Sequence, residues 1–100
     1  MEDLKVKTAL INNCLGIEKL TKLKSILLSN CKKLSSLNGL GILKNVTSLS
    51  FDLCPNIKNY NEIGDLCNLE NLEITDCKGI ESIKFIDSLS GLKRFSLLGN

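Results

Sequence analysis

The 100-residue sequence predicts one α/β domain spanning residues 1–100: a right-handed solenoid with about five parallel strands on its concave side and 3₁₀ or helical turns on its convex side. Three observations carry this. Cys31, Cys54 and Cys77 recur at one constant interval, and one further step lands on Asn100. Each of the three cysteines closes the same pattern, LxxLxLxxC: Leu23, Ile26, Leu28, Cys31; Val46, Leu49, Phe51, Cys54; and Leu69, Leu72, Ile74, Cys77. After each cysteine the apolar residues recur every third position, as in Leu34, Leu37, Leu40, Leu43, then Ile57, Tyr60, Ile63, Leu66, then Ile80, Ile83, Ile86, Leu89. Repetition at a period of roughly 20 to 50 residues is the mark of stacked-turn architectures.

The central L-x-L of each pattern alternates with period two, as a strand does when one face is buried and the other wet. Successive copies run the same way. Parallel neighbours need a crossover of about a dozen residues, which the segment after each cysteine supplies. Apolar residues at every third position suit neither a strand nor a long α-helix but match 3₁₀ turns, which places those segments on the convex side. Weaker copies read at the two ends: Val6, Ala9, Ile11, Cys14 at the start and Leu92, Phe95, Leu97, Asn100 at the finish. Repeats are therefore expected to start near positions 6, 23, 46, 69 and 92, with the first, from Val6 to Leu23, shorter than the others and its convex segment clipped. The last stops where a repeat turns to the convex side, so the C-terminal end reads as uncapped, and a longer parent chain, or a covering copy or partner, is expected there.

These residues resemble the leucine-rich-repeat family, specifically the class of short repeats, with cysteine at the position many members fill with asparagine. The resemblance covers positions 6 to 100. It implies the solenoid fold strongly and the function only broadly, because the family carries adhesion, enzyme inhibition, signalling and immunity roles on one architecture.

Composition narrows the function classes. The chain is 43% hydrophobic, with twenty Leu and ten Ile, which excludes a disordered segment. A net charge of +2 disfavours nucleic acid and acidic membranes as partners. No stretch approaches the roughly 18 apolar residues of a spanning helix. No signal peptide reads at the start, and five Cys without any His suit a reducing compartment, so a cytoplasmic location is expected, with a trimmed surface or secreted fragment as the alternative. The sequon Asn45-Val46-Thr47 carries no weight, because Val46 is a core position.

No catalytic, cofactor or metal site is expected. Nucleotide-binding, hydrolase and metalloprotease motifs are absent, and so is His, the commonest base near neutral pH. The in-phase cysteines 14, 31, 54 and 77 read as structural: a small apolar thiol turned inward at the strand end that meets backbone groups of the loop. Cys67 is out of phase and the most exposed thiol expected.

The outward positions of the strands form three columns. The first reads Thr8, Ser25, Ser48, Asn71, Arg94; the second Leu10, Leu27, Ser50, Glu73, Ser96; the third Asn12, Ser29, Asp52, Thr75, Leu98. This is a mostly small, neutral surface, suited to close approach by another protein. Leu10 and Leu27 would form an apolar spot, and Asp52, Glu73 and Asp76 an acidic one, with Asp52 and Glu73 about 7 Å apart on the diagonal. The expected partner-binding residues are Leu10, Ser25, Leu27, Ser29, Ser48, Ser50, Asp52, Asn71, Glu73, Thr75, Asp76, Arg94 and Ser96. A protein partner with an apolar knob and a basic patch would complement them. Charge also separates by half, with eight Lys against three acids in residues 1–50 and five basic against eight acidic in 51–100, giving +5 and −3. That dipole admits self-association through the solenoid ends as the alternative role.

Overall fold

The computed structural model describes residues 2–7 and 16–99, the side chains of Val6, Lys7 and Glu18 excepted. Five strands, β1 (Asp3–Lys7), β2 (Ser25–Ser29), β3 (Ser48–Asp52), β4 (Asn71–Thr75) and β5 (Arg94–Leu98), form one parallel sheet in the order β1-β2-β3-β4-β5. Short 3₁₀ turns at Ile17–Lys19, Leu40–Ile42, Asn61–Asp65 and Lys84–Ser88 run along the opposite side. The molecule measures 27 × 26 × 18 Å.

Strands β2 to β5 pair as the constant repeat length requires: Ile26 with Leu49, Leu49 with Leu72, and Leu72 with Phe95. In β2 and β3 the inward residues Ile26, Leu28, Leu49 and Phe51 are buried while their neighbours are half-exposed, the alternation of a one-sided sheet. All eight inward residues of the rung from Leu23 to Leu43, and all eight from Val46 to Leu66, are at most 2% exposed. Ser50→Arg is therefore expected to leave the melting temperature within a few degrees of wild type by circular dichroism, because Ser50 lies between the buried Leu49 and Phe51 on the other face.

The first rung differs from the sequence expectation. Its strand is Asp3–Lys7, with Leu4 opposite Ile26 and Val6 opposite Leu28. Val6 thus aligns with Leu28 rather than Leu23, so the repeat begins earlier than expected and its turn is one position shorter than the others instead of clipped. A turn of nearly full length lets β1 stack on β2 along its whole length, which a clipped one would not. The outward columns therefore start, among the described side chains, with Asp3 and Lys5. Thr8, Ala9, Leu10, Ile11, Asn12 and Cys14 lie outside the described residues.

The threefold convex phase also breaks once. In the rung after Cys77, Ile83 is 43% exposed and Phe85, off phase, is buried. Aromatic packing decides this. Phe85 stacks on Tyr60 with centroids 6.4 Å apart, and Tyr60 meets Phe51 edge-on at 5.6 Å.

Each of β2 to β5 is followed by a left-handed residue at the same place in its repeat: Asn30, Leu53, Asp76 and Gly99, with φ of 55°, 55°, 52° and 72°. Asn, Asp and Gly tolerate this region, whereas Leu53 does so at a cost. The next turn is tight enough to demand glycine at one rung. A Cβ on Gly79 would collide with the carbonyl oxygens of Pro55 and Ile57. Asparagines tie rung to rung on the way back to the sheet: Asn45 Nδ2 donates to Thr21 O at 3.1 Å and Asn68 Nδ2 to Lys44 O at 2.8 Å.

Candidate protein-binding face

The sheet bends around an open groove of about 510 Å³. Its floor comes from the first two outward columns: Ser25, Ser48, Asn71 and Arg94, then Lys5, Leu27, Ser50, Glu73 and Ser96. These side chains face the groove because their strand neighbours Ile26, Leu49 and Leu72 must face the core. Four serines, Ser25, Ser48, Ser50 and Ser96, fill little of the groove. Asn71 Nδ2 donates to Ser48 Oγ at 3.3 Å, a bond between neighbouring strands.

The structure divides the expected binding residues into two sets. Ser25, Leu27, Ser48, Ser50, Asn71, Glu73, Arg94 and Ser96 come together in the groove. Ser29, Asp52 and Thr75, in the third column, and Asp76 after it lie on the rim at the strand ends, outside that lining. Asp52 and Asp76 are half-buried, and Glu73 is exposed. Asp76 packs its carboxylate against Gly99, where a Cβ would collide with it. Leu10 lies outside the described residues, and the neighbour of Leu27 in column two is Lys5. The apolar spot anticipated at this end is therefore a leucine beside a lysine.

Two features escaped the sequence reading. Lys5 enters the groove because Leu4-x-Val6 stands almost one full repeat ahead of Ile26-x-Leu28, a signal hidden by aligning on cysteine. Leu53 is 45% exposed at the rim, on the strained turn between Asn30 and Asp76, and only backbone torsions reveal it.

The cysteines behind the sheet serve the backbone. Cys31, Cys54 and Cys77 are fully buried, whereas Cys67 is exposed. The Cys31 and Cys77 thiols donate to Ser29 O and Thr75 O at 3.5 and 3.4 Å; Cys54 Sγ reaches Leu28 O and Asp52 O, both at 3.5 Å. The Cys54 amide donates to Cys77 Sγ at 3.4 Å. The hydrogen bond between the two thiols, with burial second, pushes the Cys54 thiol well above its ordinary range, while the same bond lowers that of Cys77. Burial likewise raises the Tyr60 hydroxyl, which packs near Cys77 without a hydrogen bond of good geometry. Among the described residues no group of three His, Cys, Asp or Glu could hold a metal ion, and no helix is long and apolar enough to cross a membrane.

No protein-family model matches the chain, and no curated protein does. A solved structure does: an internalin from Listeria monocytogenes, at 21% identity with a TM-score of 0.60. The fold is that of a leucine-rich-repeat solenoid. The likeness covers 97% of this chain and 36% of that protein, so the chain spans about a third of its structural neighbour.

Proposed function

We propose that this chain is a non-catalytic protein-binding module that grips its partner in the concave groove. The observation that carries the reading is the groove itself: about 510 Å³ of open concavity floored by serines, with Leu27 and Lys5 toward one end and Glu73 and Arg94 toward the other. Small hydroxyl side chains admit a close-fitting surface and adapt their hydrogen bonds to it, while flanking charges set orientation. The likeness to an internalin supports a repeat scaffold of this kind. Within the class, an inhibitor or immunity-type protein in the cytoplasm, or the repeat portion of a larger receptor or adaptor, fits best. The partner is a protein that sets an apolar side chain on Leu27, an acidic one near Lys5 and a basic one on Glu73, rather than a nucleic acid or a membrane.

Immobilised wild-type chain, incubated with lysate of the source cell, is expected to retain a protein that Leu27→Glu and Glu73→Lys lose by about tenfold or more, the effect of removing an interface anchor. Lys58→Glu, at an exposed position outside the groove lining, serves as control. Equal retention by the groove variants and wild type would contradict the assignment.

A second reading, self-association through the solenoid ends, is favoured by Phe95 and Leu97. They occupy the inward register opposite Leu72 and Ile74, yet each is 36% exposed.

A further inference from the structure

Three charged side chains reach the groove without a partner. Lys5, Glu73 and Arg94 are exposed, line the concavity, and form no ion pair among the described residues. Strand pairing fixes their order. The second column runs Lys5, Leu27, Ser50, Glu73, one residue per rung from β1 to β4, and Arg94 stands one rung further on, in the first column. An occupant lying along the stack therefore meets a basic, an apolar, a small, an acidic and a basic side chain, one at each step.

The step length selects the kind of chain. Neighbouring strands lie about 4.8 Å apart, so Glu73 is roughly 14 Å and Arg94 roughly 19 Å from Lys5 along the stack. An α-helix rises about 1.5 Å per residue, and its residues i, i+3, i+7, i+10 and i+14 share one face at roughly 0, 4.5, 10.5, 15 and 21 Å. One helical residue thus stands over each rung. An extended segment repeats its same face only about every 6.7 Å, so its second contact drops between Leu27 and Ser50 and leaves neither filled. Width points the same way. The charges straddle two columns, which a helix about 10 Å across covers together and a single row of strand side chains does not. A helix also satisfies its own backbone hydrogen bonds, so it can lie on a floor of side chains without orphaned amides. Because the sheet bends away beneath a straight helix, the small Ser50 leaves space for a large apolar residue at i+7.

We propose that the element held in this groove is a single α-helix of the partner, lying along the stack. It sets an acidic residue i on Lys5, apolar residues i+3 and i+7 over Leu27 and Ser50, a basic residue i+10 on Glu73 and an acidic residue i+14 on Arg94. This rests on the concave-groove reading and names the partner's element and its side-chain order.

The probe is a fluorescein-labelled synthetic peptide of about 20 residues that carries this stripe, with Ala and Gln elsewhere so that it is helix-prone. Titrated with wild-type chain, it is expected to give saturable anisotropy with a Kd of roughly 10 to 200 µM, as for one short weak element. Circular dichroism of the mixture should show more helix than its parts. Lys5→Glu and Glu73→Lys are each expected to weaken binding about fivefold, the scale of one exposed ion pair. Ser50→Arg, which fills the centre of the floor, should abolish it, and Lys58→Glu should leave it unchanged. A peptide with Glu at i+10 should bind Glu73→Lys about as well as the original peptide binds wild type, and wild type itself poorly. Proline at i+5, on the face turned away from the groove, should remove binding by breaking the helix. No saturable binding up to about 1 mM, or equal binding by the proline peptide, would overturn the helical occupant; lysate capture that still depends on Leu27 and Glu73 would then leave the concave-groove reading standing. Helix binding indifferent to Lys5→Glu, Ser50→Arg and Glu73→Lys would overturn this register.

Discussion

Leu49→Asp is expected to abolish cooperative unfolding: the variant should show no melt above room temperature by circular dichroism and should bind a hydrophobic dye. Leu49 is 2% exposed, in the middle of the central strand, opposite Ile26 on one side and Leu72 on the other. A carboxylate there finds no cation within the core, because among the described residues no charged side chain is buried. Burying an unpaired charge costs several kcal/mol even after its pKa shifts to neutralise it, and the lost leucine packing adds roughly 2 to 5 kcal/mol. Together these match the whole stability of a domain of this size, about 5 to 15 kcal/mol. A near-native melt would show that Leu49 does not face inward, and with it the groove would lose its floor. The contrast with the adjacent Ser50→Arg makes the pair a direct measure of which face of β3 is wet.

Phe51→Ala is expected to lower stability by about 3 to 5 kcal/mol in urea titration, the range for removing a fully buried aromatic ring. Phe95→Ala, the same substitution in β5, should cost less than half as much. Phe51 is 0% exposed and packs edge-on against Tyr60, which in turn stacks on Phe85, so its loss opens a cavity flanked on both sides by fixed rungs. Phe95 is 36% exposed and has a strand on one side only. Equal losses at the two positions would mean that the β5 face is covered in solution.

The middle of the chain is legible from identity of pattern, because each repeat there repeats its own environment. Leu23, Val46 and Leu69 occupy one inward position; so do Cys31, Cys54 and Cys77, all fully buried with their thiols on backbone carbonyls. At the first rung the same marker misleads. Cys14 has the look of a ladder cysteine, but the strand is specified by Leu4 and Val6, whose spacing to Ile26 and Leu28 completes the turn. A thiol can stand anywhere small and apolar serves, whereas an L-x-L pair must lie where one face of a strand meets the core. The consequence for the site is direct: Lys5, not Leu10, is the neighbour of Leu27, and that end of the groove is basic where an apolar one was expected.

Periodicity in the chain alone determined that this protein winds as a solenoid, which face of β2, β3 and β4 is buried, and that the concave surface is small and neutral at its centre. Those follow from local alternation and from a constant repeat length, both properties of the linear sequence. Tertiary structure decided the rest: that Phe85 rather than Ile83 turns inward, because an aromatic ring on the neighbouring rung offers a larger contact; that the groove lining stops at Ser50 and Glu73 and leaves Asp52, Thr75 and Asp76 at the strand ends beyond it; and that Leu53 holds a left-handed turn in the open. These depend on what the adjacent turn presents across the stack, and residues one repeat apart meet only once the chain has folded.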